Sequence, residues 1–267
     1  MNLKIRGRLG ASLLPRMFSA AIVLIASDAI AASENVGFEA PSYSLGSVVG
    51  QNGWFWNGYS AQDGSFAVSD AAPLSGLQSA RYERSTYNFS DISLGNAIAA
   101  RRGAGTDLSV SYLYSAGASS FGGLFIGPDG INGWAPIFVE FRTDGNVYYG
   151  ENFAVHSFEG LTYTPNDVLS VKYEVDFTDA PGGIGTVTYR FNNLTTAAPE
   201  FSTTKSFFAG WGPEGTNGEY MVDVSLVGRQ GVGQFDNINL SAIPEPSTFM
   251  GLIICAVTAA VMQRGRK

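Results

Sequence analysis

Val171-Lys-Tyr-Glu-Val-Asp-Phe177 sets Val171, Tyr173, Val175 and Phe177 against Lys172, Glu174 and Asp176 in strict alternation. Successive side chains of a pleated strand leave on opposite faces, so this pattern predicts an antiparallel strand with one face in a core and the other in water. The same reading holds for Leu108 to Tyr114, Ile137 to Arg142, Thr186 to Phe191 and Tyr220 to Val227, and at least seven strands are expected. Asp144-Gly145 separates the strand at Ile137 from Val147-Tyr-Tyr149 as a tight hairpin, and Asp179-Ala-Pro-Gly-Gly-Ile-Gly185 joins two longer strands. No amphipathic helix of ten residues is legible. The expected class is therefore all-β, a single antiparallel β-sandwich of jelly-roll type. Leu194 to Thr204 reads as loop and is too short to divide it.

Composition narrows the function. The only cysteine, Cys255, lies near the C-terminus, so residues 32–242 hold no thiol for a disulfide, a Cys-ligated zinc or a nucleophile. Seven of the 16 Lys and Arg residues sit in the two terminal segments with only Asp28 and Glu245 as acids there. Between them nine basic residues face 21 acidic ones, a net charge of −12 that repels phosphate backbones and excludes nucleic acid as the expected partner.

Both ends read as addresses. Lys4, Arg6, Arg8 and Arg16 precede the apolar run Met17 to Ile25, and Ala29-Ile30-Ala31 supplies a small-x-small site, which predicts a signal peptide over 1–31 cut by signal peptidase after Ala31. At the other end Pro244-Glu245-Pro246-Ser247 precedes the uncharged run Thr248 to Met262, then Gln263 and the basic cluster Arg264, Arg266 and Lys267. As a helix that run is about 22 Å long against a hydrocarbon core of about 30 Å, enough to span with help from its flanks. The basic cluster belongs on the cytoplasmic side, so the two ends predict one topology, with the domain outside an inner membrane.

The order Pro-Glu-Pro, short apolar helix, Arg-rich terminus over 243–267 resembles the PEP-CTERM sorting signal of Gram-negative bacteria that make exopolysaccharide. The resemblance implies recognition by an exosortase, a membrane protease-transpeptidase acting near Pro244-Glu245-Pro246, and delivery to the cell surface or biofilm matrix. It implies nothing about the activity of the domain carried.

Within that domain, Gly37-Phe-Glu-Ala-Pro-Ser-Tyr43, Gly50-Gln-Asn-Gly-Trp54 and Phe235-Asp-Asn-Ile-Asn-Leu240 resemble the first and last strands of lectin-like and carbohydrate-binding-module-like jelly rolls. That resemblance implies a structural calcium held by Glu39 and Asp236, with Asn237 nearby. Calcium requires six to eight oxygen ligands, which two carboxylates and backbone carbonyls of Gly-rich loops can supply.

Catalytic candidates are few. Glu174-Val-Asp-Phe-Thr-Asp179 approaches the Glu-x-Asp-x-x-Glu pattern of laminarinase-like retaining glycosidases, with Glu174 as nucleophile, Asp176 between, and Asp179 at the acid/base position. It departs there, since Asp179 is one methylene shorter and falls in a turn. His156 is the single histidine and has no nucleophile at a recognisable spacing. Aromatic residues are more plentiful: Trp54, Trp56, Tyr59, Trp134 and Trp211 could offer ring faces to the C–H faces of sugars, although Trp54 is expected in the core. The leading expectation is thus an exported, non-catalytic surface or matrix protein that binds or packs within exopolysaccharide. A glycosidase using Glu174 and Asp179, and an adhesive protein that binds protein partners, are the alternatives.

Overall fold

The computed structural model describes residues 33–56, 65–85, 91–101, 106–128, 137–151, 154–176, 184–208 and 219–244. The signal segment ending at Ala31, Glu245, Pro246, the run 248–262, Arg264 and Arg266 lie outside these residues, as do Tyr59, Trp134, Asp179 and Trp211. No helix among the described residues is long and apolar enough to cross a membrane. Those up to Ile243 fall in one compact unit.

In chain order the strands are β1 (Ser33–Val36), β2 (Gly46–Ser47), β3 (Trp54–Trp56), β4 (Ser65–Ser69), β5 (Ser79–Arg84), β6 (Asp91–Arg101), β7 (Thr106–Ala116) and β8 (Phe121–Pro128). They continue as β9 (Ile137–Phe141), β10 (Asn146–Glu151), β11 (Ala154–Thr162), β12 (Val168–Asp176), β13 (Ile184–Asn193), β14 (Phe201–Phe208) and β15 (Glu219–Pro244). Every described pairing is antiparallel. One sheet runs β2-β4-β5-β15-β7-β12-β13-β14, with β1 beside the end of β15, and the other runs β3-β6-β15-β8-β9-β10-β11. We call these the β12 sheet and the β9 sheet. Together they form the expected antiparallel sandwich.

β15 belongs to both sheets. Its first half pairs with β6 and β8, and from Gly231 onward it pairs with β5 and then β1. The corner between the halves is built around one ring: a Cβ on Gly122, Gly228 or Gly233 would collide with Tyr82, which is 1% exposed. Glycine in a strand interior weakens it unless something else needs the space, and here Tyr82 fills it. The Tyr82 hydroxyl then meets that of Tyr114 at 2.9 Å.

The core follows from the alternation. Along β12 burial strictly alternates, with Leu169, Val171, Tyr173 and Val175 inside. Tyr173 sits edge-on to Tyr112 and shares a 2.7 Å hydrogen bond between the two hydroxyls. Burial holds both phenols neutral by pushing their pKa values far above the usual range.

Two expectations need correction. Leu194 to Thr204 is loop only to Glu200; Phe201 opens strand β14, which pairs with β13 from Phe191↔Phe201 to Ile184↔Phe208. Its Ser/Thr-rich run hides the alternation because β14 ends its sheet. Gly37 to Tyr43 is not the first strand: Ser33–Val36 is, paired with Ile238 to Ser241, while Phe38 adopts φ 54° and the chain then turns through Pro41. The hairpin at Asp144-Gly145 stands as expected, with the Asn146 N–H donating to Asp144 Oδ1 at 2.9 Å.

Candidate functional site

The carboxylates expected at calcium do come together. Glu39 Oε1 accepts the backbone N–H groups of Leu77 (2.8 Å) and Gln78 (3.1 Å), and Asp236 accepts those of Ser75 (2.9 Å) and Asn237 (2.8 Å). Gly76, at φ +58°, has no room for a Cβ because the Glu39 carboxylate occupies that position. The two acids thus clasp the 75–78 loop onto the start of the domain and the last strand. Asp236 is fully buried and its carboxyl is pushed up to about 6, chiefly by burial, with the Glu39 charge adding to it. Among the described residues no three His, Cys, Asp or Glu side chains converge. A calcium ion would meet two carboxylates here, with both Asp236 oxygens already accepting backbone N–H groups, and loop carbonyls would have to complete its shell.

Glu174 faces away from the core on β12, and Asp176 lies exposed two residues on. Glu174 is bonded on both oxygens, to Lys172 at 2.6 Å and Arg190 at 3.1 Å, and Arg190 also reaches Glu200 at 3.3 Å. The bonds from Lys172 and then Arg190 hold its carboxyl below the usual range. This is a solvated ion-pair ladder across β12 and β13; the acid/base partner Asp179 lies outside the described residues.

The aromatics divide. Trp54 is 1% exposed and its indole N–H donates to the Tyr43 hydroxyl at 3.1 Å, so it is core and offers no face to a ligand. Trp56 is partly buried against the same core, and Phe55 between them is the exposed ring. His156 lies exposed on β11 with its ring 5.6 Å from that of Tyr149.

A site the sequence did not announce lies where β11 approaches β13 and β14. A groove of about 440 Å³ is lined there by Leu161, Thr162, Asp167, Asn193, Glu200 and Phe201, among others. Asp167 is buried, and its Oδ2 accepts both the Thr164 N–H (2.9 Å) and the Asn193 Nδ2–H (2.8 Å). Asn193 Oδ1 in turn accepts the N–H groups of Thr195 and Thr196. These bonds fix a carboxylate and a carboxamide side by side, each with further hydrogen-bonding capacity, next to the half-buried apolar Leu161 and Phe201. Such a setting suits a neutral polar ligand with an apolar face. Asp167 and Asn193 are 26 residues apart, and only their tertiary pairing reveals them.

No protein-family model and no curated protein matches this chain. Among solved structures it is similar to a marine alginate lyase from Aplysia kurodai, at 12% identity over 76% of this chain and 99% of that one, with a TM-score of 0.49. It is similar too to a lectin from Bauhinia forficata in complex with GalNAc, at 10% identity over 80% and 99% of the two chains, TM-score 0.46. The CBM22-1 xylan-binding domain from Paenibacillus barcinonensis matches at 12% identity over 79% and 94%, TM-score 0.36. Likenesses at this level do not carry function from one chain to another.

Proposed function

We propose that this chain is an exported protein of the cell surface or matrix whose β-sandwich binds a glycan in the groove between β11 and the β13–β14 edge. The observation that carries the binding reading is the Asp167–Asn193 pair, fixed by four hydrogen bonds beside apolar Leu161 and Phe201. A sugar presents adjacent hydroxyls, which a carboxylate and an amide can take as donor and acceptor, and C–H faces, which apolar side chains cover. The export reading is supported by the basic leader with Ala31 and by the terminal Pro244-Glu245-Pro246, apolar and Arg264/Arg266 segments. Sorting by an exosortase, through the PEP-CTERM resemblance, belongs to the same proposal. Changing Glu245 to Ala should then leave the protein in the membrane fraction, and unchanged release from cells would refute it.

Calcium between Glu39 and Asp236 is proposed as a structural accessory, supported by the burial of one carboxylate within electrostatic reach of the other. Bound there, it would neutralise their mutual repulsion and fasten the 75–78 loop.

The binding test is retention of the purified protein on a panel of neutral polysaccharides with released reducing sugar scored in parallel. Retention without release, lost in Asn193→Ala at a temperature where that variant remains folded, is the expected outcome. Equal retention of that variant would remove the groove from the account, and sugar release would favour the glycosidase alternative.

A further inference from the structure

On the outward face of the β9 sheet, Glu140 is 2% exposed and receives two arginines. Arg142 donates from Nε (3.1 Å) and Nη2 (2.7 Å) to Oε2, and Arg229 pairs through Nη1 with Oε1 at 2.7 Å. One carboxylate thus serves two guanidiniums, so these three groups sum to one positive charge, with the Asp144 carboxylate beyond the Tyr148 ring, in a domain whose net charge is −12. Aromatic rings hold the cations in place. The Arg142 guanidinium lies 4.1 Å from the Tyr148 ring centroid and 5.1 Å from that of Phe121, and Arg229 lies 5.1 Å from Phe121 on its own account. Tyr148 is itself tied down, donating its hydroxyl to Asp144 at 2.6 Å. The Arg142 side chain nonetheless keeps 29% of its surface in solvent.

We infer that Arg142 is a recognition point for the carboxylate of an acidic sugar, a uronate unit of a polysaccharide. The inference rests on the glycan-binding reading above and gives it a second, charged contact on a different face. A guanidinium has five N–H donors in a planar fork, of which Glu140 takes two from Arg142. The Nη1–Nη2 end retains the geometry that matches a carboxylate bidentately. Because Glu140 and two rings already fix the side chain, little rotamer entropy is left to lose on binding. Lysine could not do this, since its ammonium is a point charge without the fork.

The test measures affinity for polygalacturonate, dextran sulfate and neutral xylan with the whole exported protein, Arg142→Gln, Arg142→Lys and Asn193→Ala. Polygalacturonate should bind, with affinity falling about tenfold or more in Arg142→Gln and substantially in Arg142→Lys, whose retained charge keeps Glu140 paired and the fold intact. Asn193→Ala should leave that affinity unchanged while losing xylan. No binding of polygalacturonate by the unaltered protein, or equal binding by Arg142→Lys, overturns the inference. Dextran sulfate bound as tightly as polygalacturonate overturns it too, because it shows general anion attraction. Failure of the groove reading looks different: xylan would not bind at all, while the Arg142-dependent signal would remain.

Discussion

The two outward sheet faces each carry arginine–glutamate pairs, yet they are built under opposite conditions. On the β12 sheet, Lys172, Glu174, Arg190 and Glu200 form a ladder in which every side chain keeps more than a third of its surface in water. On the β9 sheet, Glu140 is shut in among Arg142, Arg229 and the rings of Phe121 and Tyr148. The chemistry is the same and the solvent is not. Exposed pairs are screened and contribute little, whereas removal of one partner from a desolvated cluster strands the others. The contrast teaches that the ladder leaves its charges free to move in water, while the buried cluster holds its charged groups in one geometry.

The largest effect should come from Glu140→Gln. It leaves two guanidiniums without their shared anion, and a loss of about 3 kcal/mol or more is expected in urea unfolding. A loss no larger than that of the corresponding change at Glu174 would break the comparison, because burial would then not separate the faces.

How much of this was legible in the sequence depends on range. Val171 to Phe177 declared its strand because period two is local. β15 did not declare its continuity, since the space that makes Gly228 and Gly233 necessary is filled by Tyr82, from far upstream, and that beside Gly231 by Ser119 and Ser120. Within Ile137-Phe-Val-Glu-Phe141 the alternation correctly turns Glu140 away from the core, but a lone outward glutamate reads as solvated. Its second arginine stands 89 positions later in the chain, at Arg229, and only sheet order brings them together. Glu39 and Asp236 were singled out by resemblance for calcium, whereas their bonds to the 75–78 loop, distant in the chain from Asp236, have no local signature.

Asp236 sharpens the comparison as a buried carboxylate held by backbone N–H groups, where Glu140 is held by guanidiniums. In the unfolded chain an aspartate ionises near pH 3.9, and in the fold this one ionises near about 6. Its contribution to stability is therefore complete below about pH 4, falls as pH rises through 6, and stays lost above that. The shift corresponds to roughly 2–3 kcal/mol. Unfolding free energies from pH 4 to 7 should show that decline in the unaltered protein relative to Asp236→Asn. Calcium at pH 7 should restore part of it and raise the melting temperature only when Asp236 is present. A flat difference between the two proteins over this range would mean that the buried acid carries no such cost.

The smallest effect is expected at Glu174. Its carboxyl is held below the usual range by Lys172 first and Arg190 second, so the sign is opposite to that of Asp236. The contribution is present above the unfolded value near pH 4.3 and disappears as pH falls through the lower, folded one. Because all the partners stand in water, screening should reduce it to within about 1 kcal/mol, and Glu174→Gln should barely move the unfolding midpoint at pH 7. The same variant decides chemistry. If Glu174 were a nucleophile, its loss would abolish any sugar release, since no covalent intermediate could form. If it is one rung of a solvated ladder, glycan retention and stability should both survive the change, and the two sheet faces then divide the work between solubility and recognition.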